Sequence, residues 1–254
     1  MPIPPPWSHR SSLTGRRRGT PRPRRWLRRG LWALPGAALA LTVLPLMFLA
    51  VLPPPSSAFM VQQWARNVAA GDGRLPAYRW APAERISPQL ALAVIAAEDQ
   101  RFPAHFGLDL TAIRRAADHN ARGGPTRGAS TITQQTVKNL FLWPGRSWLR
   151  KGLEAWLAVW MELLLPKARI LELYLNVAQF GPNVYGAEAA SRLYFGVSAN
   201  RLDARQAALL AAVLPNPVRY RVDAPTDHVR RRQAWILMQM RHLGPEPLRA
   251  VLPR

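Results

Sequence analysis

Ser87-Pro88-Gln89-Leu90-Ala91-Leu92-Ala93-Val94-Ile95-Ala96-Ala97-Glu98-Asp99 is the stretch on which the fold reading turns. Ser87 suits a helix N-cap, and Pro88 suits the first helical position, where its missing N–H leaves no bond unmade. Leu90, Val94 and Ala97 follow at helical spacing, and the run stays uncharged until it ends on two adjacent acids. Glu98 stands four residues after Val94 and eight after Leu90, so its carboxylate emerges beside a buried stripe. Partial desolvation there raises a carboxyl pKa and makes the group a better proton acceptor near neutral pH. The same position also allows a blander role, charge balance with Arg85 or Arg101.

Working outward, the chain after residue 59 reads as further helices, with no persuasive period-two stretch and no internal repeat. Thr131-Ile132-Thr133-Gln134 has the form of a capping box and opens a helix that runs to about Leu142, before Trp143-Pro144-Gly145. Arg150 to Leu165 follows, with Leu153, Trp156, Leu157, Trp160 and Leu164 at helical spacing and Pro166 closing it. Lys167 to Phe180 continues through Ile170, Leu171, Tyr174 and Val177 and stops at Gly181-Pro182. Two more helices are predicted, Asp203 to Leu214 and from a Thr226 cap to about His242. Arg122 to Ala129, rich in glycine, reads as a mobile loop. The predicted fold class is mostly α.

Toward the N-terminus the composition changes. Leu31 to Leu52 is 22 residues without a charge, which as a helix at about 1.5 Å per residue crosses a hydrocarbon layer of about 30 Å. Pro35 and Pro45 would kink such a span without excluding it. Residues 1–30 hold nine arginines, six prolines and no acid, a segment that builds no core and is expected to be disordered. Arginine before the span predicts residues 1–30 in the cytoplasm, a single transmembrane helix over 31–52 and an external globular domain over 56–254. A signal peptide cleaved near Ser56-Ser57-Ala58 is the alternative, although the apolar run exceeds the usual signal core of about 7 to 15 residues.

The chain of 254 residues carries 35 Lys and Arg against 14 Asp and Glu, a formal charge of +21, and no cysteine. Thiol nucleophiles, disulfide frameworks and thiolate metal sites are therefore excluded. Removing the nine arginines of the tail from +21 still leaves +12. An exported basic domain on a membrane anchor faces anionic headgroups or an anionic substrate held there. Nucleic acid, the other usual partner of such charge, is not expected on the external face of a membrane.

Arginine outnumbers lysine by 32 to three, and the three, Lys138, Lys151 and Lys167, all lie within one stretch of thirty residues. A lysine retained in such company hints at a need for a compact point charge. Glu154 follows Arg150 by four residues and Lys151 by three, a spacing that serves a solvated helix-surface pair as well as an active-site group. Gly128 to Asn139 sets Ser130, Gln134, Gln135 and Asn139 on a helix start bracketed by Arg127 and Lys138. Hydroxyls and amides at the positive end of a helix dipole suit sugar hydroxyls or phosphate oxygens. A polar, well-capped surface helix would read the same way.

Five ordered segments now carry a resemblance. They are Glu98-Asp99-Gln100-Arg101-Phe102 with His105, Gly107 and Asp109; Gly128 to Asn139; Arg150-Lys151 with Glu154; Ile170-Leu171-Glu172 with Tyr174-Leu175-Asn176; and Gly186 to Tyr194-Phe195-Gly196. Together they resemble the peptidoglycan glycosyltransferase family over roughly residues 80 to 220. The resemblance implies a lysozyme-like, mostly helical domain that polymerises lipid II into glycan strands at the outer face of a cytoplasmic membrane. It makes Glu98 the general base for the acceptor 4-hydroxyl and Glu154 the second glutamate, assisting around the donor diphosphate. Lys138, Arg150 and Lys151 match the basic residues near that diphosphate. Arg127, Ser130, Gln134, Gln135 and Asn139 fall in the substrate-binding segment. Asp99, His105 and Asp109 match the first motif, with a role in orienting Glu98 or fixing the loop. Ala129 departs from the glycine of many bifunctional relatives, and peptide cross-linking is expected to belong to another protein.

No cofactor is required by these motifs. No metal-ligand cluster is visible, and a divalent cation at the lipid diphosphate stays open. The expected partners are lipid II, the growing glycan strand, membrane lipids and other cell-wall synthesis proteins. His119, His228 and His242 read as surface residues, Glu172 and Asn176 as ties between helices, Trp143 and Trp148 as contacts to lipid headgroups, and Trp156 and Trp160 as core. Two other readings use the same fold class: a lytic transglycosylase or muramidase that cleaves glycan, and a non-enzymatic membrane-anchored scaffold. Gly128 to Asn139 together with Arg150, Lys151 and Glu154 favours synthesis.

Overall fold

The computed structural model describes residues 24–123, 128–145 and 147–251, with side chains from residue 34 onward. Among these residues the chain forms eleven α-helices and three short strands, the mostly α class expected. The described residues up to 41 and those from 42 onward form two compact units. Helix α1 (Arg24–Val51) starts ahead of the apolar run. Its Leu34–Val51 part is the one stretch among the described residues long and apolar enough to cross a membrane, and it fits a single-pass anchor.

Helix α3 (Pro88–Glu98) is the central element of the second unit. Ser87 caps it by accepting the Gln89 N–H at 3.2 Å. Its burial is not a stripe, because every residue from Leu90 to Ala96 is buried. Alternating alanines let neighbours close on all sides, as in a helix that is apolar all round. Helices α9 (Ala204–Val213) and α10 (Asp227–Leu243) pack on it, while α5 (Ile132–Phe141) packs between α6 (Trp148–Leu164) and α7 (Lys167–Val177). The predicted caps are present, with Thr131 and Gln134 forming the capping box of α5 and Thr226 capping α10, and Asp203, read only as the start of its helix, caps α9.

Several elements were not legible from spacing: α2 (Ala58–Ala69), α4 (Leu110–Ala121), α8 (Ala187–Phe195) and α11 (Glu246–Val251). Helix α4 buries none of its residues, although Leu110, Ile113 and Ala117 stand at helical spacing. The helix predicted over Lys167 to Phe180 ends at Val177. Beyond it, β2 (Gln179–Gly181) turns through Pro182-Asn183 into β3 (Val184–Tyr185), and β1 (Ala77–Tyr78) pairs parallel with β3. Strands this short carry no alternation.

Asn176 ties α7 to the segment after β1. Its Oδ1 accepts the Ala81 N–H and its Nδ2 donates to the Ala81 carbonyl, each at 2.8 Å, and Glu172 accepts the Ala83 N–H at 3.1 Å. The last turns of α1 join the second unit too, with Leu46 and Leu49 in its core. Arg169 donates to the Leu49 and Leu52 carbonyls at 2.8 and 2.7 Å. Trp148, Leu149, Trp156 and Leu163 leave an apolar face of α6 exposed. Trp156, expected in the core, is half-exposed there, its indole N–H donating to Thr42 Oγ1 at 3.2 Å while its ring meets Trp160 edge-on.

Gly186 opens α8 at φ +82°, and a Cβ on it would stand 2.6 Å from the Asn176 carbonyl oxygen. Gly186→Ala is expected to cost about 2 kcal/mol or more through backbone strain and overpacking. The thermal midpoint of the detergent-solubilised chain should then fall by roughly 4 °C or more; an unchanged midpoint would show that the turn can yield.

Candidate active site

The C-terminal end of α3 delivers Glu98 to the side of α5. Glu98 Oε2 accepts from Gln135 Nε2 at 2.9 Å, and Oε1 accepts from Arg232 Nη2 of α10 at 3.1 Å. The amide of Gln135 is itself oriented, since its Oε1 accepts the Tyr174 hydroxyl at 3.2 Å and only its NH₂ is left to face the carboxylate. Burial raises the Glu98 pKa, and the Gln135 bond, Arg232 and Lys138 hold the rise back. Burial also pushes the Tyr174 hydroxyl well above its ordinary value, with Glu98 and Asp99 adding to the effect, so it stays a donor. The sequence offered Arg85 or Arg101 as partners for Glu98. Arg101 instead pairs with Asp109 at 3.1 Å, and Arg85 lies exposed.

Asp99, next to Glu98, turns the opposite way. Its Oδ2 accepts the Ile132 N–H at the start of α5 at 3.0 Å, and both oxygens lie within 3.0 Å of His105 Nε2. A carboxylate at a helix N-terminus also meets the positive end of the dipole. The other imidazole nitrogen, Nδ1, is buried with no hydrogen-bond partner. Asp109 caps α4 by accepting the Ala112 N–H at 2.9 Å. Asp99 and Asp109 set backbone segments in place, and His105 is tied to the first of them.

One turn beyond Gln135 on α5 stands Lys138, with its ammonium 5.8 Å from the Phe59 ring centroid. Burial lowers its pKa; Glu154 and Glu98 counter this, while Arg150 and Lys151 add to it. Glu154 is not the solvated helix partner its spacing allowed, for its side chain is 2% exposed. Its two oxygens are taken by Arg150 Nη1 at 2.6 Å and Lys151 Nζ at 2.5 Å. Lys151 also donates to Ser130 Oγ at 2.9 Å. A buried carboxylate thus holds two cations against each other beside a third, and the cluster carries excess positive charge. Gln134 Oε1 accepts the Thr131 N–H and belongs to the helix cap, and Asn139 is buried on the same helix. Arg127 and half of the predicted loop, residues 124–127, lie outside the described residues. Among the described residues no three His, Asp or Glu side chains gather where a metal could be held.

The family model described as Transglycosylase matches residues 66–241. The chain belongs to the transglycosylase family. Similar members are the biosynthetic peptidoglycan transglycosylases of Cronobacter sakazakii, 53% identical over 211 residues (83% of this chain, 88% of the relative), and of Citrobacter koseri, 57% identical over 198 residues (77% and 82%). That of Xanthomonas campestris pv. campestris is 50% identical over 227 residues (88% and 92%). The transglycosylase match continues past Gly196, the last motif residue read in the sequence, and takes in Arg232. Sequence reading missed Arg232 because 134 positions separate it from Glu98, and in a helix rich in arginine nothing marks one as different.

Asp99→Ala leaves the buried Ile132 N–H and His105 Nε2 without their acceptor. The expected destabilisation is about 2–4 kcal/mol, measured by urea unfolding in detergent, and a loss under about 0.5 kcal/mol would dissolve the clamp.

Proposed function

We propose that this transglycosylase polymerises lipid II into linear β-1,4 glycan strands of peptidoglycan, inverting the MurNAc anomeric carbon and releasing undecaprenyl pyrophosphate. The observation that carries the reading is the pairing along α5 of a desolvated, proton-seeking carboxylate, Glu98, with a compact cluster of cations around Lys138 and Glu154. The acceptor 4-hydroxyl oxygen attacks the anomeric carbon as Glu98 takes its proton. The bond from that carbon to the diphosphate breaks, and its electron pair leaves with the diphosphate. Lys138, Arg150 and Lys151 stabilise the charge that gathers there, and Glu154 keeps the latter two in position. One displacement with an activated leaving group needs no covalent enzyme intermediate. No step is routed through a metal, because the donor set near the cations contains a single carboxylate, already doubly paired.

Topology follows the same reading. The anchor lies in the cytoplasmic (inner) membrane, with residues 1–30 in the cytoplasm and residues 56–254 in the periplasm. The arginine-rich tail before the span supports this orientation. The exposed apolar face of α6, reaching Thr42 of α1 through Trp156, supports a domain seated in the outer leaflet close to its lipid-linked substrate and to the other cell-wall synthesis proteins that share it.

Turnover of lipid II by the detergent-solubilised chain, with products sized and digested by lysozyme, tests the proposal. Wild type should yield lysozyme-sensitive polymer and Glu98→Gln at least about a hundredfold less. Glycan cleavage without polymer from the folded wild type would move the assignment to the lytic reaction.

The pH dependence has a definite sign. A raised Glu98 pKa means that the base form disappears, as pH falls, at a higher pH than for an ordinary carboxyl, so the acidic limb of kcat/KM lies above the usual carboxylate range. Arg232 holds that pKa down, so Arg232→Gln should move the acidic limb to still higher pH. A limb that stays in place would remove Arg232 from the positioning of the base.

A further inference from the structure

Arg79, Arg85 and Arg192 line a polar pocket of about 300 Å³ together with Glu188, Ser198 and Asn200. It shares no residue with the site around Glu98 and Glu154. Glu188 does not neutralise it: its Oε1 accepts from Arg192 at 2.6 Å and its Oε2 from the Ala199 N–H at 2.8 Å. Against the upward push of burial, those bonds and the charges of Arg192 and Arg79 hold its carboxyl below the ordinary range. Three guanidinium groups less one carboxylate leave the pocket at +2. Arg79 and Arg85 are exposed, and among the described residues neither forms an ion pair.

The place of this charge in the fold narrows what it can hold. Tyr78, on one side of Arg79, donates its hydroxyl to the Pro54 carbonyl at 2.8 Å. Trp80, on the other side, lies under the Arg169 guanidinium at 5.2 Å, and Arg169 bonds the Leu49 and Leu52 carbonyls. The apolar span ends at Val51. Both neighbours of Arg79 are therefore fastened within three residues of the span's end, where hydrocarbon gives way to headgroups and where tryptophan and tyrosine concentrate.

We propose that Arg79, Arg85 and Arg192 form a binding site for the phosphate headgroup of an anionic membrane phospholipid. Guanidinium forks match phosphate oxygens in pairs. The Asn200 amide supplies a neutral donor, because Ser198 Oγ bonds its Oδ1 and leaves the NH₂ free to turn inward. Such a lipid would fix the rim of the domain against the membrane independently of substrate.

The full chain in neutral detergent, titrated with dihexanoyl phosphatidylglycerol, dihexanoyl phosphatidylcholine or inorganic phosphate, tests this by calorimetry and by counting bound lipid in native mass spectra. Wild type should bind one phosphatidylglycerol that Arg79→Gln/Arg85→Gln binds at least about tenfold more weakly, a loss of about 1.4 kcal/mol. The tail arginines are common to both chains, so they cancel in the comparison. Phosphatidylcholine should not bind there, and the thermal midpoint and lipid II turnover in detergent should match wild type. Equal phosphatidylglycerol binding by the two chains overturns the site. Inorganic phosphate binding as tightly as the lipid reassigns the pocket to a free anion and overturns the headgroup. If the double variant is less stable than wild type, Arg85→Gln alone decides the matter by the same comparison.

Discussion

The contact between Asp99 and the first turn of α5 is the constraint on which the site depends. The end of α3 carries two adjacent carboxylates, and an extended backbone beyond the helix sends them in different directions. Asp99 is spent on the Ile132 N–H and His105, which fixes the axial position of α5 against α3. Only with that register does Gln135, one turn along, arrive at Glu98. A slip of one residue in α5 would rotate its side chains by about 100° and send both Gln135 and Lys138 away from the carboxylate. The two acids occupy consecutive positions, and Asp99 aligns the helix whose Gln135 bonds Glu98.

That division explains what could be read beforehand and what could not. The caps at Ser87, Thr131 and Thr226 are local chemistry and were legible, as was the apolar span. The emergence of Glu98 beside buried residues was legible from helix phase. Its partners were not, because Arg232 comes from another helix and Tyr174 acts through Gln135. The burial of Glu154 was not legible from spacing alone. An i, i+4 pairing says nothing about burial, and here the carboxylate lies inside while Lys151 stays partly exposed. The hairpin after α7 was invisible for a different reason: its strands are shorter than the window in which alternation can be counted.

Lysine and arginine divide the basic work by geometry. Lys138 and Lys151 stand at the site, and the third, Lys167, donates to Glu162 at 2.8 Å while its ammonium lies 4.3 Å from the Phe102 ring centroid. Thr133 of α5 bonds the same Glu162 oxygen, so this inward network ties α5, α6 and α7. In each case a single short cation fits where a planar fork would not. The arginines do the opposite work, spanning elements with several donors at once, as Arg169 does between α7 and the end of α1.

In the proposed reaction the two glutamates take two different roles on a single fold. Glu98 sits at the C-terminal end of a fully apolar helix, where the carbonyl end of the dipole opposes its charge, and its hydrogen bonds come from one neutral amide and one distant arginine. Glu154 sits nearly two turns into α6 with two cations directly on its oxygens. A carboxylate whose ionised form is poorly supported is the one poised to accept a proton. A carboxylate held by two cations has its lone pairs already committed and serves best by keeping those cations from repelling each other. Exchanging the roles would require exchanging the helices, which is why the chemistry belongs to the packing of α3, α5 and α6 rather than to either acid alone.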